Sequence, residues 1–157
     1  MSLATRVNWF LDHNHIEYDI VHHSPAQSSL DAALRAHVPP GKVAKCILLE
    51  DERGYVLAIL PAGCRLNFDA IDELIDRRLE LATEPEVDEV FSDCALGALP
   101  VVGEAYNIPT LVDESLLRLP DIYFEGGDHE DLVHVGRDAF HQLMGTALHG
   151  NIRRNAA

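Results

Sequence analysis

Hydrophobic positions along the chain switch between two spacings. Leu3, Val7, Phe10 and Leu11 recur at helical intervals, predicting an amphipathic helix over residues 3–13 with Asn14 as its stop. Residues 16–21 alternate apolar and polar, the mark of a half-buried strand. Ser28 or Ser29 can cap a helix over about residues 29–37, which Pro39-Pro40-Gly41 ends. Residues 43–50 are apolar on both parities, so a buried strand is predicted. The charged turn at 51–54 returns the chain into a second such strand, residues 55–60, and the pair forms an antiparallel hairpin.

Residues 61–65 read as a loop. A helix follows, capped by Asn67 or Asp69, with Ile71, Leu74, Ile75 and Leu79 as its apolar face. Residues 79–82 suit a short strand. Thr83 then caps an acidic helix, with Glu86 in the capping-box position. Gly97, Pro100 and Gly103 punctuate a loop-rich stretch. A strand at 110–112 and a helical turn at 113–117 come next. Strands at 122–124 and 131–135 flank Gly126-Gly127, and a last helix covers 137–144. Residues 145–157 carry no such pattern and are expected to fray.

Helices and strands intermix, and many connections are hairpin-like. The expected fold class is α/β (α+β): one domain over residues 1–157, with a mixed, largely antiparallel sheet flanked by helices. No apolar run approaches the ~20 residues of a membrane span, so no membrane partner is expected. The N-terminal segment is amphipathic and does not read as a signal peptide. Cys46, Cys64 and Cys94 are isolated, which signals neither a disulfide framework nor a zinc site and fits a cytoplasmic home. The nine histidines lack helical metal-pair spacing, so no metal and no cofactor is expected. A net charge of −14 argues against non-specific nucleic-acid binding and against DNA as a partner. An RNA would have to find a local basic site against the overall field.

Four stretches are candidates for chemistry. Lys45 sits inside the apolar run at 43–50. A cation there must pair with a carboxylate, hold an anionic ligand, or reach solvent from a sheet edge. Gly97 and Gly103 bound a segment whose amides can approach a ligand, although an ordinary tight connection has the same composition. Gly126-Gly127-Asp128-His129 can line a pocket or simply turn a hairpin. His22-His23 beside Ser24 suggests nucleophilic catalysis, but no nucleophile-elbow motif accompanies it.

The ordered set of Val43-Ala44-Lys45, the hairpin, residues 97–103, Ile108-Pro109-Thr110-Leu111-Val112-Asp113 and Gly126-Gly127 resembles the YbaK / prolyl-tRNA-synthetase-associated domain family. The resemblance covers roughly residues 3–144. It implies an aminoacyl-tRNA deacylase that acts in trans and hydrolyses the ester of a mischarged tRNA carrying a small amino acid. No metal, cofactor or side-chain nucleophile takes part, and the tRNA's vicinal hydroxyl helps to activate water. By the same resemblance, Lys45 positions the terminal adenosine and Gly97 stabilises the carbonyl oxygen across a hollow. Pro100, Val101, Gly103, Gly127 and His129 would line the substrate site, and an aminoacyl-tRNA synthetase is a further partner. Val101 stands where the family often has a second proline. Glu104-Ala105-Tyr106-Asn107 and Asp128-His129 replace basic residues common in the family. That loss of positive charge supports an alternative: a catalytically drifted binding module of the same fold, for a small aminoacylated or adenylated ligand or a synthetase.

Overall fold

A computed structural model describes residues 3–155. The outermost residues of the expected domain and tail, Met1, Ser2, Ala156 and Ala157, lie outside the described residues. The first half contains α1 (Thr5–His13), β1 (Asp19–His22), α2 (Ser29–Arg35), β2 (Val43–Asp51), β3 (Gly54–Pro61), β4 (Cys64–Leu66), α3 (Phe68–Ile75) and β5 (Glu80–Leu81). The second contains α4 (Glu84–Val90), β6 (Thr110–Asp113), α5 (Glu114–Leu117), β7 (Asp121–Glu125), β8 (Asp131–Gly136), α6 (Arg137–Met144), β9 (Leu148–Gly150) and β10 (Arg153–Asn155).

The β2–β3 hairpin is the centre of the main sheet, whose order is β1-β8-β7-β2-β3-β6-β9, with β5 also on β2. Pairing is antiparallel at β1/β8, β7/β8, β2/β3 and β2/β5, and parallel at β2/β7, β3/β6 and β6/β9. This is the mixed sheet flanked by helices that the pattern predicts. Side chains alternate across each strand, so the two faces bury different sets. Ala44, Cys46, Leu48, Leu57, Ile59, Ile122 and Phe124 pack one face against α1 and α6. Leu49, Val56, Ala58 and Leu60 pack the other against Leu66, Ile71 and Ile152. Towards β7 that second face is covered by α2, through Ala33 beside Val43 and Ala32 beside Leu132.

The caps form as the sequence predicts. Ser28 accepts from the Asp31 amide, Asn67 from the Ala70 amide, and Thr83 and Glu86 complete a capping box. Three expectations fail. Helix α2 ends at Arg35, and His37 turns the chain with φ +57°. Helix α3 ends when Asp76 adopts φ +53°, leaving Leu79 outside it though still buried. The third failure is the tail. β9 pairs with β6 and β10 with β4, whose Cys64–Leu66 occupies part of the expected loop. The reason is Asp113, a carboxylate with no exposure. It accepts from the Ile152 amide at 3.0 Å and from Arg153 Nη1 at 2.8 Å. A buried carboxylate needs such partners, and the tail supplies them.

Candidate active site

One edge of β2 changes neighbour along its length. β7 pairs at Val43 and Ala44, and β5 pairs at Leu49 and Glu50. Between them, Lys45, Cys46 and Ile47 have β3 on one side and no strand on the other. The chain segment before β6 crosses this opening. The Cys46 thiol reaches the carbonyl oxygens of Pro100 at 3.3 Å and Leu99 at 3.6 Å.

Lys45 does not meet those two carbonyls, because strand alternation turns it to the other face with Val43 and Ile47. It is half-buried, and burial is the main cause that lowers its pKa; its titratable neighbours are Cys64 and Arg65. It makes no ion pair with a carboxylate among the described residues. Of the three fates open to a cation in this strand, pairing within the chain is therefore not the one observed.

Lys45 shares its face with the Gly97 end of the crossing segment. Val43 pairs with Tyr123 in parallel, so two residues further on Lys45 and Glu125 project from the same side of neighbouring strands. Glu125 is fully buried, and its Oε2 lies 3.1 Å from His129 Nδ1. The contact is close but poorly aligned, and both Glu125 oxygens and His129 Nδ1 lack a well-formed hydrogen bond. Burial is the main cause that pushes the Glu125 carboxyl up to about 7; His129 opposes that shift and Asp128 adds to it. The other ring nitrogen of His129, Nε2, bonds the Leu96 carbonyl.

Gly97 follows directly, with φ +79°, a conformation that costs a side-chain-bearing residue about 1–2 kcal/mol. A Cβ added there would stand 3.5 Å from the His129 ring and 3.8 Å from the Gln27 carbonyl. Gly97 is exposed, and its amide donates to no acceptor among the described residues. Because the Leu96 carbonyl points at His129, the trans peptide turns the Gly97 N–H the other way, and an unpaired amide held like this can donate to a developing oxyanion. The segment is also tied to the β7–β8 turn by the Ala95 amide, which donates to the Gly127 carbonyl at 2.7 Å.

The remaining predicted site residues lie elsewhere. Pro100 and Val101 are buried, and Val101 belongs to the core cluster under the sheet. Gly103 opens a short helical turn, where a Cβ would collide with Thr110 Oγ1. Gly127, at φ +117°, backs onto Ala4. Val101, Gly103 and Gly127 thus pack against the core, Thr110 and Ala4 respectively. His22 bonds Asp131, and His23 donates through its backbone to the Glu130 carbonyl, so the Ser24 pairing suggested by sequence does not form a catalytic array. A hollow of about 330 Å³ sits at the opposite end of the sheet order, lined by Val56, Ile75, Pro109, Leu111 and Met144. It includes neither Lys45 nor Gly97. Among the described residues no group of three or more His, Cys, Asp or Glu is arranged to hold a metal ion.

Sequence reasoning missed Glu125 and Cys46 as parts of the site. Glu125 left a signal: a lone carboxylate ends an apolar strand four positions before a histidine. Cys46 left none, since a buried strand cysteine reads as core.

The model of the aminoacyl-tRNA editing domain family matches residues 23–143, so the chain belongs to that family. A structure described as a candidate trans-editing enzyme for prolyl-tRNA synthetase is similar at 25% identity and TM-score 0.82, over 97% of each chain. The hypothetical protein APE2540 shares the fold at 23% identity and TM-score 0.83, over 95% of this chain and 99% of its own. A signal transduction protein from Marinobacter aquaeolei contains the fold as 31% of its chain, at 20% identity, TM-score 0.77 and 98% coverage of this chain. No curated protein matches the chain.

Proposed function

We propose that the chain is a metal-independent aminoacyl-tRNA deacylase that acts in trans in the cytoplasm on a mischarged tRNA carrying a small amino acid. The observation that carries this reading is the Gly97 amide, without an acceptor among the described residues and next to His129, in a chain of the editing family. Water adds to the ester carbonyl carbon, and negative charge gathers on the carbonyl oxygen, where the Gly97 amide donates to it. The bond to the ribose oxygen then breaks, that oxygen takes the proton lost by water, and the amino acid leaves. The vicinal ribose hydroxyl helps to orient the water. Lys45, without a carboxylate partner among the described residues, positions the terminal adenosine or its phosphate as a point charge. A small apolar pocket discriminates by only about 1–3 kcal/mol per methylene, which is why a separate hydrolytic sieve is useful.

The test is deacylation of Ala-, Cys-, Ser- and Pro-charged tRNAs by the wild type, Lys45→Ala and Gly97→Ala. Hydrolysis of at least one of them, lost in Lys45→Ala with the fold intact, is the expected result. Full activity in Lys45→Ala removes that residue from the mechanism, and no hydrolysis of any substrate overturns the reading.

A second reading draws on charge. Asp128, Glu130 and Asp131 crowd the turn next to His129, and the chain carries −14 overall. It is a binding module for a small aminoacylated or adenylated ligand, or for a synthetase. A tRNA titration at several salt concentrations separates the two, because phosphate contacts must produce a salt slope.

A further inference from the structure

We propose that Glu125 is a positioning residue: by holding His129 with its Nε2 proton on the Leu96 carbonyl, it fixes the Gly97 amide in the orientation that receives the substrate carbonyl. The inference rests on the deacylase reading above. A carbonyl oxygen only accepts, so the His129 nitrogen facing Leu96 must carry a proton. The other nitrogen, Nδ1, faces Glu125 Oε2 at 3.1 Å. That axis holds one proton, either on a neutral carboxyl that donates to the ring or on an imidazolium that donates to a carboxylate. Both states keep Nε2 protonated, and both keep Leu96 clamped. Without the carboxyl, Nδ1 would face a buried wall with no partner, and the alternative tautomer would set two lone pairs against each other at Leu96.

A second observation marks the same place. Among the described residues, the buried side-chain polar atoms without a well-formed hydrogen bond belong to His23, Glu125, Asp128, His129 and Asp131, all at or beside the β7–β8 turn, although Asp131 also has His22 in close contact. Buried groups left unsatisfied need a reason, and a catalytic contact that tightens only around substrate is one. The charged groups that act on Glu125 are His129 and Asp128 from its own turn, and across the sheet Glu125 is felt by Cys46 of β2. His129, at 3.1 Å, is close enough to share its proton.

The experiment compares the full-length wild type with Glu125→Gln and Glu125→Leu. Ring-nitrogen NMR of His129, assigned through a His129→Gln control, reads the tautomer without any substrate. Nε2 protonation is expected in the wild type and in Glu125→Gln, whose amide can donate to Nδ1, and its loss or mixing in Glu125→Leu. With a mischarged tRNA, Glu125→Leu is expected to lose at least about tenfold in kcat with KM little changed. Glu125→Gln recovers most of that rate and flattens the pH profile near neutrality. A His129 signal that is the same in all three proteins, or a Glu125→Gln as slow as a folded Glu125→Leu, overturns the proposal. Should the leucine variant not fold, the ring signal and pH profile of the glutamine variant decide alone: an altered tautomer or an unchanged pH profile refutes it. If the wild type hydrolyses nothing, the deacylase reading falls, while the ring signals still report whether Glu125 sets His129.

Discussion

The Cys46 thiol stands 3.3 Å from the Pro100 carbonyl oxygen and pins the segment that carries Gly97 to the strand that carries Lys45. One residue along the strand, Lys45 turns the other way. The same stretch of β2 therefore anchors the loop with one side chain and leaves the next free for a ligand.

That anchoring makes Cys46 unreactive. It is buried, and desolvation pushes its pKa far above the usual thiol range. Cys94 is pushed up to about 12 by burial first. Cys64 is partly exposed. A maleimide at pH 8 is expected to label Cys64 first in the native protein and Cys46 only after denaturation. Mass mapping of the labelled peptides checks the order. Cys46→Ala should cost about 1–3 kcal/mol, because it opens a small cavity and leaves a carbonyl without a donor.

Asp113 has the most to lose from substitution. Its carboxylate is fully buried and accepts from Ser115, Ile152 and Arg153. Arg153→Ala leaves that charge uncompensated, and the expected loss is about 3–5 kcal/mol. Deleting residues 148–155 should destabilise at least as much. Urea unfolding of both variants measures it.

Glu125 gives stability a pH dependence with a definite sign. Below its ordinary value near 4.5, the carboxyl is protonated in the folded and the unfolded chain alike. From there up to about 7 the folded chain keeps the proton that the unfolded chain has lost. Stability must therefore fall as pH rises through this window and level off above it. Asp131, also raised chiefly by burial, adds with the same sign. Asp51 acts oppositely: its bond to Arg77 lowers it to about 2, so its contribution is present above its ordinary value and lost as pH falls towards 2. The difference in stability between pH 5 and pH 8 should shrink in Glu125→Gln, as thermal melts at the two values will show.

Lys45 should separate stability from function. It is half-buried, lowered by desolvation, and has no carboxylate partner among the described residues. Lys45→Met keeps the packed stem and removes the charge, so it should match or exceed the wild type in stability, within about 1 kcal/mol. Deacylation should fall all the same. Urea midpoints and the tRNA assay, run on one preparation, test both halves.

The hairpin, the three caps and the β7–β8 turn were legible because each rests on local chemistry: runs of apolar residues, a side-chain oxygen ahead of a helix, paired glycines. The same means single out Gly97 and Lys45 as candidates, and the deacylation assay decides their roles. The tail was not legible. Leu148 and Arg153 become strand residues only because β6 and Asp113 stand ready for them, and no spacing within 145–157 reports that. Nor does the alternation of β2 alone tell which of Lys45 and Cys46 will face the crossing loop. That depends on where β7 stops and β5 begins.

Arg153 lies forty positions after the aspartate it neutralises. A nascent chain can therefore complete the hairpin, and even the turn that carries His129, while Asp113 still lacks its cation. During synthesis the buried carboxylate of Asp113 stays without that cation until residue 153 has been made.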